Sequence, residues 1–135
     1  MAYTTMAAFR TAVAALEVTG IVAASRLGQA PDTLSMKLPI SFPRIREQRG
    51  ENLTLGGNAG LRVGSLDLVV VVESANLATP AVNLDSACAL LDALDTAFRA
   101  SINALGLDEW TIRAEVEPIG GQTYWTLVAT LTASG

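Results

Sequence analysis

The side chains in this chain that could do chemistry are few, and their spacing builds no obvious site. Asp92 and Asp95 stand one helical turn apart, Asp108 is followed by Glu109, and Glu115 and Glu117 alternate along one segment. Paired carboxylates can act as acid and base or hold a hard cation when a pocket perturbs them. Here the first pair falls away from most of a helical apolar stripe, the second in a turn, and the third opposite core positions of a strand. All three are expected on the surface, facing water or a partner. The chain has no histidine, which removes His-based triads, imidazole metal sites and the usual near-neutral proton shuttle. Serine and cysteine nucleophiles therefore lack a base, and a Ser-Lys pair has only Lys37 to draw on. Cys88 is the single cysteine. It cannot close an internal disulfide and is expected as an inert, buried thiol. The glycines of GGNAG, Gly56 to Gly60, lack both the lysine and hydroxyl of a P-loop and the GxGxxG spacing, so they read as flexible loop. Trp110, Tyr124 and Trp125 could stack on bases, but the segment holding them offers only Arg113 against Glu115 and Glu117. They are expected as core or interface aromatics. The resulting expectation is no catalytic, cofactor-binding or metal-binding residue.

One stretch, Asn83 to Leu105, dominates the elements that would position such groups. Leu84, Ala87, Cys88, Leu91, Leu94, Phe98, Ile102 and Leu105 recur at steps of three and four, the spacing of one helix face. The pattern predicts a continuous helix capped by Asn83 and stopped by Gly106, with Asp85 near the positive end of its dipole. Leu91 and Phe98 are expected to anchor the core against Leu66, Leu68, Val70 and Val72 and against Trp110, Ile112 and Val116. A first amphipathic helix is expected over Thr5 to Val18 from Met6, Phe9, Val13 and Leu16, capped by Thr4 or Thr5 and ended by Gly20. Ile21 to Ala24 offers a short strand.

Leu34, Met36, Leu38, Ile40 and Phe42 alternate with polar residues and with Pro39 and Pro43. That is a half-buried strand whose prolines suit an edge. Arg44 to Gly60 has no sustained period and reads as a long, mobile, exposed loop. Leu61 to Glu73 is apolar on both faces at its middle, which predicts a central strand covered on both sides. Trp110 to Glu117 and Tyr124 to Thr132 form a hairpin around the turn Pro118 to Gln122. This order predicts a single α+β domain over residues 1–135, an antiparallel or mixed sheet with an N-terminal helix and one long central helix packed on it.

The chain has 135 residues, half of them hydrophobic and 16% charged, against about 25% charged in an average soluble domain. Either a partner covers some apolar surface or small alanines are tolerated outside the core. The net charge is −4. Between Lys37 and Arg62 five basic side chains face two acidic ones, a net +3, leaving −7 for the remainder. An acidic body argues against general nucleic-acid binding, since phosphate attraction needs a basic face. No apolar run approaches the about 20 residues of a membrane-spanning helix, and the N-terminal segment, broken by Arg10, is a poor signal peptide.

The N-terminal helix, the long connection between two strands, the VVVVES strand leading into LDSACALLDALDTAFRA, and the closing W-x-I-x-A-x-V…YWTLVATLTA hairpin resemble the tail terminator or tail-completion proteins of long-tailed bacteriophages. The likeness runs from Leu34 onward and consists of patterns, with no signature motif to carry over residue by residue. It implies a virion structural protein, assembled in the host cytoplasm, that performs no chemistry. It implies a homo-oligomeric ring, typically six-fold, that caps the tail tube and joins the tail to the neck, touching adjacent tube and neck proteins, with neither sequence-specific nucleic-acid binding nor a membrane. An acidic ring interior would let DNA pass without sticking. Within that setting Arg44, Arg46 and Arg49 are expected to dock the loop onto an acidic neighbour. The alternatives are another neck or tail component, such as a head-closure or tube protein, and a small-molecule-binding or hydrolytic α+β domain.

Overall fold

Runs of alternating side chains supply most of the four long strands found among the described residues. The computed structural model describes residues 3–32, 38–52, 60–74 and 80–135. Strands β1 (Ile40–Asn52), β2 (Gly60–Ser74), β3 (Leu107–Ile119) and β4 (Gln122–Ser134) pair antiparallel throughout in the order β1-β2-β4-β3. Among the described residues three α-helices accompany them, α1 (Met6–Ala14), α2 (Pro80–Ala100) and the short α3 (Ile102–Leu105). The architecture is α+β with strands dominating. Among the described residues no helix is long and apolar enough to cross a membrane.

The period-two rule sorts the sheet into two faces. On the first, Leu66, Leu68, Val70 and Val72 of β2 and Leu127, Ala129, Leu131 and Ala133 of β4 pack with Phe9, Val13, Leu90, Leu94 and Phe98 from the helices. On the second, Val69 and Val71 join Ile40, Phe42, Tyr124 and Val128 in a smaller cluster. β2 is therefore covered on both sides, as its apolar middle predicts. α1 lies on β1 and β2, whereas α2 touches β2 and β3.

Several expected boundaries move. Thr5 caps α1, its Oγ1 accepting the Ala8 N–H at 3.2 Å, and the helix stops at Ala14, short of Val18. Gly20, at φ 98°, then turns the chain in a backbone region that side chains with a Cβ avoid. The strand expected at Ile21 to Ala24 is instead a 3-10 turn, Ala23–Ser25. The neighbouring pairing is made by Arg26 with Ser41, where the Leu27 N–H donates to the Ser41 carbonyl at 2.7 Å. Residues 33–37, the first part of the expected edge strand, lie outside the described residues. β1 begins at Ile40 and does take the sheet edge.

The expected loop Arg44 to Gly60 is corrected most. Residues 44–52 continue β1 and pair with residues 60–67 of β2, while 53–59 lie outside the described residues. The pattern hid this strand because it is an edge whose side chains from Arg44 to Gly50 are all exposed, so burial imposes no alternation on it. A bulge between Ile45 and Glu47 also breaks the period.

The stretch Asn83 to Leu105 is not one helix. α2 starts three residues earlier, at Pro80, whose missing N–H suits a first helical turn, so Asn83 lies inside it. The helix breaks at Ser101, whose N–H donates to the Phe98 carbonyl at 3.0 Å, before α3 ends at Gly106 in the left-handed region, φ 69°. Leu90, Leu94 and Phe98 are buried, whereas Leu84, Cys88, Leu91 and Ile102 are exposed. The apolar residues of α2 form two stripes about a quarter turn apart, and the sheet buries only one. Leu91 is therefore not a core anchor and Cys88 is not a buried thiol, whereas Phe98 is fully buried and its ring lies 6.1 Å from that of Trp110.

Candidate functional site

The polar half of the second sheet face gathers a cluster of charged side chains from β1, β2 and β3. Asp67 sits in the otherwise apolar middle of β2 and is only 3% exposed. A carboxylate so deep needs partners. Thr130 Oγ1 of β4 donates to its Oδ1 at 2.8 Å, Arg44 Nη2 lies 3.5 Å from Oδ2, and Arg46 Nη1 lies 3.7 Å from Oδ1. The bulge allows both arginines to reach the same residue, because it returns Arg46 to the side on which Arg44 projects. From β3, Arg113 Nη1 donates to Thr130 Oγ1 at 2.8 Å while its Nε pairs with Glu115.

Arg44 also forks onto Glu117, with Nη1 and Nη2 at 3.1 Å from Oε1 and Nη1 at 3.2 Å from Oε2. Arg44 aligns through Asp67 and Thr130 with Thr111 of β3, six residues from Glu117. On a flat sheet that offset alone is on the order of 20 Å along the strand, beyond three strand spacings across. A contact at 3.1 Å across that offset requires the sheet to curve towards the second face along the diagonal from Arg44 to Glu117, the saddle that twist gives to long strands. Burial acts to lower the Arg44 pKa, but the hydrogen bond and charge of Glu117, with those of Asp67, outweigh it and hold the guanidinium above its ordinary value. The arrangement cross-braces the sheet and offers no free base or nucleophile.

The residues singled out by sequence are thus dispersed. Arg44 and Arg46 belong to a strand and to this network, not to a docking loop, and Arg49 follows on the same exposed edge. Glu115 and Glu117, expected to face water or a partner, are held by Arg113 and Arg44. Asp92 is exposed, whereas Asp95 accepts from Arg99 Nε at 2.7 Å and from Trp110 Nε1 at 2.9 Å. The hydrogen bond from Arg99, then that from Trp110, lowers the Asp95 pKa below the ordinary value. Tyr124 is buried in the second cluster, while Trp125 is 42% exposed. Among the described residues no group of three His, Cys, Asp or Glu side chains is placed to hold a metal ion. A shallow, mainly apolar hollow lies between α1 and α3, lined by Tyr3, Ala8, Phe9 and Leu105. The Arg44–Glu117 contact joins residues 73 apart in sequence and has no local signal. The lone acid in LDLVVVV was the available clue, since a buried carboxylate demands a cation or donor.

A second feature is the distribution of exposed apolar side chains between the two flanks of the sheet. On the β1 flank, Ile45 is 58% exposed between Arg44 and Arg46. Val22, 67% exposed, belongs to the segment that Leu27 ties to the same edge. On the β3 flank, Leu84, Cys88 and Leu91 form a stripe of α2 that continues, at helical spacing, to Asp95. The hydrogen bond of Asp95 to Trp110 turns that stripe towards β3. Val116 and Trp125, cross-strand partners on β3 and β4, add exposed apolar surface beyond Trp110.

No protein-family model matches the chain, and no curated protein matches it in sequence.

Proposed function

We propose that the chain is a structural subunit of a phage tail, a terminator-like protein that assembles into a six-fold ring, caps the tail tube and joins the tail to the neck. The observation that carries this reading is the pair of unlike exposed flanks on one braced sheet, one apolar with arginines and the other apolar with aspartates. A subunit with two different adhesive sides adds copies head to tail, and such an interface closes into a ring or grows as a filament. The order of elements, with helix, two paired strands, helix and hairpin, fits the sequence pattern of that family. The Arg44–Glu117 brace suits a part that must keep its shape while neighbours load it.

Purified full-length protein is the test. Light scattering and negative-stain imaging should give a mass several times 14.1 kDa and round particles with a central opening. Monomers at every concentration, with a small molecule held in the α1–α3 hollow, would replace this reading with that of a ligand-binding domain.

A further inference from the structure

The two edge strands of the sheet meet across the two strands between them, and we propose that the Arg44–Glu117 pair is a salt-sensitive latch that holds the sheet in its saddle. The register places the latch. On the second face Arg44 stands in a row with Asp67, Thr130 and Thr111, and Glu117 stands six residues beyond Thr111 on β3, beside Tyr124. The line from Arg44 to Glu117 therefore crosses β2 at Val69 and β4 at Thr126. Both are buried, on a face where no long helix lies among the described residues. The arms of Arg44 and Glu117 form a strap in a helix's place, and the aliphatic stem of an arginine suits that position.

The other bonds of the network, from Arg46 to Asp67, from Thr130 to Asp67 and from Arg113 to Thr130, join strands that already pair. They steady the sheet locally. The fork from Arg44 to Glu117 runs from edge to edge, and a bond of that span fixes curvature, because flattening the sheet draws its ends apart. Twist gives the saddle its sense, and the latch sets its depth. A forked guanidinium–carboxylate pair demands a set geometry. Solvent reaches this one, since the Arg44 side chain is exposed and that of Glu117 only partly buried, so dissolved salt weakens it. Resting on the ring reading, the latch also governs closure. The two flanks stand at opposite edges of the sheet, so its curvature sets the angle between them, and a head-to-tail assembly closes into a ring only when the rotation per copy fits.

Spin labels report the shape directly. In a Cys88→Ser background, Glu47→Cys and Thr123→Cys place labels at exposed positions near the two ends of the diagonal, and pulsed electron resonance reads their separation in dilute protein. Adding Glu117→Ala should lengthen and broaden that distance. Rising salt should lengthen it in the latched chain and leave it unchanged in Glu117→Ala. An unchanged distance in Glu117→Ala, or a latched chain indifferent to salt, overturns the latch, and the salt series decides alone if Glu117→Ala does not fold. Under conditions where the parent assembles, Glu117→Ala without labels should give particles of mixed mass or open chains in place of a single mass. Uniform particles of the parent's mass, beside a lengthened distance, overturn the step from curvature to closure and leave the ring reading standing. A parent chain that is monomeric at every concentration removes the ring reading and that step, while the distances still decide the latch.

Discussion

The two faces of the sheet achieve burial by different means. On the first face, three helices cover an unbroken apolar row, and the helix residues that reach it, Phe9, Val13, Leu90, Leu94 and Phe98, are all buried. On the second, no long helix lies among the described residues, and the apolar cluster of Ile40, Phe42, Val69, Val71, Tyr124 and Val128 gives way along the strands to Asp67 and its arginines. There the sheet's own saddle brings β1 side chains to those of β3. One face is held by non-directional packing, which tolerates volume-conserving change. The other is held by charge-assisted hydrogen bonds that depend on geometry.

That contrast sets the order of mutational effects. The largest should come from Phe98→Ala on the first face, a loss of about 3–5 kcal/mol, as for other fully buried aromatic truncations. Thermal melting read by circular dichroism checks it, and an unchanged midpoint would move α2 off the core. Gly64→Ala on the same face should cost about 1–3 kcal/mol by overpacking. The added Cβ would lie 2.5 Å from the Tyr3 ring, so the ring must leave its seat and loosen the N-terminus, which proteolysis near α1 would report.

On the second face, Asp67→Ala should cost about 1–3 kcal/mol, the typical penalty for unmaking buried hydrogen bonds. Arg44 keeps Glu117, so the loss should remain below that of Phe98→Ala. The reverse order in chemical denaturation would make the ion-pair network, not the helix-covered core, the main support of the fold.

How much of this was legible in the sequence follows the same division. The central position of β2, the hairpin β3–β4 and the burial of Phe98 were readable because apolar residues repeat at the period of the element that buries them. The continuation of β1 past Arg44 was not, since an exposed edge strand has one hydrogen-bonded neighbour and no burial pattern. Leu84, Cys88 and Leu91 were misplaced for the opposite reason. Their spacing is helical and apolar, but Leu90 and Leu94 offer a second stripe, and only the position of the sheet decides between them. Of the sites, the three arginines were noticed for their charge, whereas Asp67, Glu117 and Thr130 become partners only through the saddle.

Smaller effects probe the edges of the comparison. Asp95 has its pKa lowered in the folded chain by Arg99 and Trp110. Its contribution is therefore fully present above the ordinary aspartate pKa and is lost as pH falls through the lower folded value. Asp95→Asn should therefore lower stability modestly at neutral pH and change it little in acid, where the parent carboxylate is already protonated, as paired melts in acid and neutral buffer would show. Smallest of all, Cys88→Ser should shift stability by no more than about 0.5 kcal/mol, the usual range for surface positions. The native thiol should react readily with a maleimide when the protein is dilute, and slow labelling of dilute monomer would contradict its exposure.

Cys88 lies on the exposed stripe of α2, and it gives the most direct measurement of the central claim that unlike flanks join neighbouring copies. Ile45→Cys places a second thiol on the β1 flank. Treatment of the assembled variant with a short bismaleimide should give a ladder of covalent multimers on denaturing gels, while the parent, with Cys88 alone, gives none. A dimer band from the parent would show that two α2 stripes meet each other, and an assembled Ile45→Cys variant without any ladder would show that the flanks do not meet.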